Sequence, residues 1–159
     1  MAATMALDVS HAQLAVFVSS IKQPFNDWTD RHVDQGFAWR PGSVSFRTLV
    51  DAGPHVIEVS VADRMGPMRD DAIRVVEVPF DVPQDGALEI GSIAETLPVS
   101  LPAGTFLLRC EFLQPPSTEG ERVVMTFARG EAARFAGVRA DAELNPGDEL
   151  LTHADPAPG

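Results

Sequence analysis

The chain has a single cysteine, Cys110, among 159 residues. No internal disulfide can close, and a reducing compartment, the cytoplasm, is the expected location. No run of about 18 apolar residues occurs, which excludes a helical membrane span. The opening residues, MAATMALDVSHAQ, carry no positive n-region and reach Asp8 before an apolar stretch can form. No secretory signal is expected there. Basic side chains are scarce, 12 against 23 acidic ones, for a formal net charge of -11. Phosphate backbones and anionic lipid surfaces are repelled by such a chain, so neither direct nucleic-acid binding nor membrane binding is expected. The acidity keeps the chain soluble, and it also speeds encounter with a cationic protein.

Catalytic motifs are missing too. His11, His32, His55 and His153 are scattered, with no HxH or HExxH spacing. No GxSxG elbow, GxGxxG loop or P-loop occurs. Cys110 sits in the apolar run Leu107-Leu108-Arg109-Cys110-Glu111-Phe112, the setting of a buried structural thiol and not of a nucleophile. Asp70-Asp71 and the acids of Asn145-Pro146-Gly147-Asp148-Glu149 offer oxygens to a hard cation, but neither has the spacing of an EF-hand loop. Solvated loops are the plainer reading. The expectation is a protein with no enzymatic activity, no cofactor and no metal. An enzyme with a cleft assembled from His55, His11 and nearby acids stands as an outsider.

What the sequence does have is two-residue alternation. Leu14, Val16 and Val18 share one face of an extended segment from Leu7 to Val18, and Leu7, Val9, Ala15 and Phe17 share the other. Apolar residues on both faces predict a central or covered strand. Val56–Val61, Ile73–Val82, Thr105–Leu113 and Arg122–Ala128 read as strands, and Val44–Phe46 and Ala87–Ile93 as shorter ones. Turn signals such as Arg40-Pro41-Gly42, Ala52-Gly53-Pro54, Gln84-Asp85-Gly86 and Pro102-Ala103-Gly104 separate them. The pattern predicts an all-β fold, an antiparallel β-sandwich. One short helix is expected near 27–35, capped by Asn26 or Asp27 and stopped by Gly36. A weaker helical candidate spans Glu131–Ala136. Residues 1–129 read as one sandwich domain. Residues 130–159 read as an acidic C-terminal extension, partly docked through Leu144, Leu150 and Leu151, with a frayed end.

Several segments together resemble the competence protein J (ComJ) family. They are Leu7–Phe17, Asp27-Trp28-Thr29-Asp30, Gly36-Phe37-Ala38, Gly42-Ser43-Val44-Ser45-Phe46, Val76–Val82, Ile90-Gly91-Ser92-Ile93 and Leu101–Cys110. They follow the family's order across residues 7 to 127, and the chain departs from it after about Arg129. The founding member of that family inhibits a DNA-entry nuclease of natural transformation. The resemblance therefore implies an immunity-like protein that binds and restrains a nuclease, a partner with a basic cleft. No site residue carries over from the family. The candidate contacts are the helix acids Asp27, Asp30 and Asp34 and the loop acids Asp70, Asp71, Glu119 and Glu121, with Trp28 and Trp39 as aromatic anchors. Trp28 is expected to pin its loop to the core. The alternative is a sandwich module for a small ligand, carbohydrate or calcium, with the two tryptophans as stacking platforms. The oligomeric state stays open.

Overall fold

The alternating segments become strands of two sheets. The computed structural model describes residues 2–113, 120–141, 144 and 150–157; Glu119 and the acids of 145–149 lie outside the described residues. In chain order the elements are β1 (Ala2–Val9), β2 (Gln13–Val18), α1 (Asp30–Gln35), β3 (Phe37–Arg40), β4 (Ser43–Arg47), β5 (Gly53–Ala62), β6 (Ala72–Val82), β7 (Ala87–Ser92), β8 (Glu95–Ser100), β9 (Gly104–Leu113), β10 (Glu121–Ala128) and β11 (Ala136–Arg139). A six-stranded sheet runs β1-β5-β10-β9-β6-β11, and a five-stranded sheet runs β3-β4-β2-β7-β8. Ile57, Val59, Val78, Phe80, Met125 and Phe127 of the first share one core with Leu14, Val16, Val44, Phe46, Leu88 and Ile90 of the second. Each such side chain, fully buried, contributes about 1.5–3 kcal/mol. Among the described residues no helix is long and apolar enough to cross a membrane.

The all-β class, the two layers and the short helix agree with the sequence reading. β2 is central, paired with β4 and β7. Its outer face is also covered: Ala15 and Phe17 are buried, and Phe25 packs edge-on against Phe17 at 5.7 Å. Cys110 is fully buried in β9, and burial pushes its thiol well above the ordinary range. It is a core atom, as expected.

Four details differ. The segment Leu7–Val18 is two strands in different sheets, broken at Ser10–Gln13 by a tight turn with His11 at φ 58 and Ala12 at φ 53. Two left-handed central residues are what a type I′ turn requires, and Asn-Gly is its favoured pair. His-Ala gives no such signal. The turn is held from outside. Ala12 N–H donates to Asp51 O (2.7 Å), Thr48 N–H to Ala12 O (3.0 Å) and Ser10 N–H to Ser92 Oγ (2.8 Å). Next, β5 and β10 pair in parallel, from His55↔Glu121 to Ala62↔Ala128, within an otherwise antiparallel arrangement. Alternation reports faces and is blind to direction. The helix begins at Asp30 with Thr29 as its N-cap, and neither Asn26 nor Asp27 has that role. Glu131–Ala136 is not helical: Glu131 accepts from Met65 N–H (3.0 Å), and Ala136 starts β11.

The strain at the turn is testable. His11→Asn with Ala12→Gly relieves a left-handed cost of about 1–2 kcal/mol per residue, against roughly 0.5–1 kcal/mol of added glycine entropy. The double variant is expected to gain about 1 kcal/mol, or about 2–4 °C in a thermal melt. A lower midpoint would contradict the assignment of strain.

The C-terminal extension is built into the sandwich where it is described. β11 pairs with β6, and Arg74, its side chain 0% exposed, reaches Asp141 at 2.9 Å. Glu77, also buried, accepts from Arg109 (2.8 Å) and Arg134 (2.9 Å). Phe135 stacks on Phe37 at 6.2 Å and meets Trp39 edge-on at 5.0 Å. Leu144 is buried over Gly36, where an added Cβ would lie 3.0 Å from its Cδ1.

Candidate partner-binding surface

The acids named above fall into two groups. Asp27, Asp30 and Asp34 are displayed together by α1 and the residues leading into it. A six-residue helix does not hold itself in water, so its geometry comes from caps and docking. Thr29 Oγ1 accepts from His32 N–H, and Thr29 N–H donates to His32 Nδ1 at 3.0 Å, closing a capping box. That bond leaves the proton on Nε2, which donates to His153 O at 3.0 Å. Gly36, at φ 92, ends the helix and returns its N–H to His32 O. Gln35 is fully buried: its Nε2 donates to Phe37 O and Leu151 O, and its Oε1 accepts from Leu151 N–H. Asp27 N–H donates to Asp155 O and Ala157 N–H to Phe25 O, a short bridge centred on Asn26 and Pro156. The chain terminus thus clamps the inner side of the helix. The three acids are left on its outer side, exposed, and none forms an ion pair among the described residues.

The remaining candidates do not join that face as free groups. Asp71 pairs with Arg69 at 3.0 Å, and the Arg69 guanidinium holds its carboxyl below the usual carboxylate range. Asp70 is exposed beside it, in the turn that precedes β6. Glu121 is not a loop acid: it begins β10 opposite His55, with Oε2 buried and without a hydrogen-bond partner. Trp39 lies within β3, half-buried, its indole N–H committed to Pro79 O at 2.7 Å. Its ring is packed on Phe135 and is no stacking platform. Trp28 is half-buried with its indole N–H on Gln13 Oε1 at 2.6 Å, so it does pin its loop, as expected.

The histidines stay apart. His55 is buried on the core side of β5, its Nδ1–H on Gly53 O at 3.0 Å, whereas His11 is exposed at the β1–β2 turn. His55 is thus a hydrogen-bonded strand residue, and His11 stands outside the strands because β1 ends at Val9. Among the described residues no group of three or more His, Cys, Asp or Glu converges as a metal ion needs.

The structure adds a notch that sequence reasoning missed. It has a volume of about 290 Å3 and is lined by His11, Ala12, Gln13, Trp28, Val33 and Arg47. Val33, 37% exposed, lies on α1 between Asp30 and Asp34. The only advance signal was a valine among acids on a helix. The lining segments are far apart in sequence, and the turn that joins them carries no glycine.

The fold and this surface define an acidic all-β protein with an apolar notch beside α1, where Asp27, Asp30 and Asp34 are exposed and form no ion pair among the described residues. The chain belongs to the competence protein J (ComJ) family, whose profile matches residues 6–128. It is 26% identical over 105 residues to the DNA-entry nuclease inhibitor of Bacillus subtilis (strain 168), an alignment covering 65% of this chain and 76% of that protein. Its fold is similar to the crystal structure of ComJ from Bacillus subtilis, described as inhibitor of the DNA degrading activity of NucA. The TM-score is 0.66 at 22% identity, over 80% of this chain and 95% of that one. These relatives are inhibitors, not enzymes.

Proposed function

We propose that this protein binds a nuclease and restrains its DNA-degrading activity by laying the α1 face against the cationic cleft that receives DNA. The observation that carries the reading is the display of Asp27, Asp30 and Asp34, exposed and without an ion pair among the described residues, on one short, clamped helix and the residues leading into it. A nuclease cleft is built to attract phosphates, and carboxylates fixed in place compete for the same field. Family membership supplies the class of partner. The reading also fits a reducing compartment, since the lone thiol is structural.

The test has two stages. Immobilised protein is expected to retain from its own organism's lysate a protein that degrades plasmid DNA once the complex is dissociated by salt. Adding back one equivalent of the inhibitor is then expected to stop the degradation. A retained protein without nuclease activity, or a nuclease unaffected by the add-back, refutes the reading.

A further inference from the structure

We propose that residues 150–157, read by Gln35 and His32, position the acids of the α1 face, so that nuclease binding depends on this C-terminal segment being docked. The inference rests on the inhibitor reading and concerns what governs that same surface. It starts from the way α1 is seated. A surface helix is ordinarily held by an apolar stripe, and six residues are too few to persist alone. The buried side chains of α1 are both polar, His32 and Gln35, whereas Val33 is exposed. Both are bonded to the main chain of the C-terminal segment. Gln35, 0% exposed, donates to Leu151 O at 3.0 Å and accepts from Leu151 N–H at 2.8 Å. His32 Nε2 donates to His153 O at 3.0 Å. Next to the helix, Asp27 N–H donates to Asp155 O at 2.7 Å, and Ala157 N–H donates to Phe25 O at 2.8 Å.

These contacts fall on alternate residues, 151, 153, 155 and 157, the period of an extended strand. Ala154 is the one fully buried residue among 150–157, and Thr152, His153 and Asp155 are exposed. The segment is therefore recognised as a backbone with one small side chain at its centre, the logic of strand addition. Undocking would leave the buried Gln35 Oε1 without a donor among the described residues, a costly state that the helix escapes by loosening. Asp30 and Asp34 would then lose their fixed places, Asp27 its main-chain tether, and the surface its preorganisation. The segment lies beyond residues 6–128, which match the family, while Phe25, Asp27, His32 and Gln35 lie within them. It is thus a control that this chain places on the shared part of its fold.

The test uses full-length variants that change no charge on the α1 face. Ala154→Phe overfills the buried position, and Leu151→Pro with Ala157→Pro deletes two of the main-chain donors. In both, amide exchange over residues 30–36 is expected to rise roughly tenfold or more, while protection in β10 is unchanged. Association with the captured nuclease is expected to slow by a similar factor, an effect that a purely structural role for the segment would not produce. The control, Thr152→Ala with His153→Ala, keeps every main-chain contact and is expected to match the unmodified protein in both measurements. Unchanged exchange in α1, or unchanged association despite faster exchange, overturns the inference. So does a control that behaves like the other two. Failure of the unmodified protein in the add-back assay is a different result: it removes the inhibitor reading, and this inference with it, whatever the exchange in α1.

Discussion

Replacing Arg74 with alanine is expected to remove about 3–5 kcal/mol of stability, the scale for breaking a buried, hydrogen-bonded charge pair. The side chain is 0% exposed, and Asp141 is 21% exposed. Nε and Nη2 each donate to the Asp141 carboxylate at 3.0 Å, and Nη1 donates to Arg47 O (2.7 Å) and Thr48 O (3.2 Å). The guanidinium also lies 5.8 Å from the Phe112 ring centroid. Truncation therefore strips donors from two main-chain carbonyls and leaves a void beside a buried aromatic ring. A domain of this size holds about 5–15 kcal/mol in total, so the variant should sit near the edge of folding. Urea titration should show a lower midpoint with the slope retained. Amide exchange in 136–139 should rise first, because β11 pairs with β6 beside Arg74. A loss under about 1 kcal/mol would mean that solvent carries the pair.

The second large effect concerns rate and not stability. Asp27→Lys with Asp30→Lys reverses two carboxylates on the outer side of α1. If this face meets the nuclease, its association rate at low salt is expected to fall by about tenfold or more and to lose most of its salt dependence. Both residues are exposed. The folding cost is limited to placing cations at a helix N-terminus, about 0.3–1 kcal/mol each. The matched control is Asp70→Lys with Asp71→Lys, where Asp71 is already neutralised by Arg69. Stopped-flow measurements over a salt series separate the two. Equal slowing in both variants would reduce the effect to net charge, and no slowing in the first would remove α1 from the interface.

How much of this was legible depends on whether a residue's partner is local. β5 and β10 alternate because each has one face in the core, β6 and β9 are buried on both faces over most of their length, and β2 betrayed its covered position by being apolar on both faces. Gly36 as the helix stop was readable for the same reason, since a left-handed cap is a local requirement. β3 and β8 were not readable: one is four residues long and the other carries Pro98 on an exposed edge. Trp39 looked like a loop aromatic because Pro41-Gly42 follows it, yet its ring is claimed by Phe135, distant in sequence. Glu121 looked solvated for its neighbours Glu119 and Gly120, but strand pairing turns it inward beside His55. Of the site, the helix acids were legible and the notch was not. Its walls come from the β1–β2 turn, the helix and the end of β4, which only the folded chain brings together.

The position of β10 in its sheet has a consequence for synthesis on the ribosome. β10 fills the space between β5 and β9, so the larger sheet exists as two separate pieces until residues 121–128 leave the exit tunnel. Until then β5 and β9 each present an open row of amide and carbonyl groups, the template from which intermolecular aggregates grow. The larger sheet therefore closes only once β10 is available to pair with both β5 and β9, before β11 and residues 150–157 can dock. Stalled or truncated products ending before β10 should be the forms of this protein that need a chaperone.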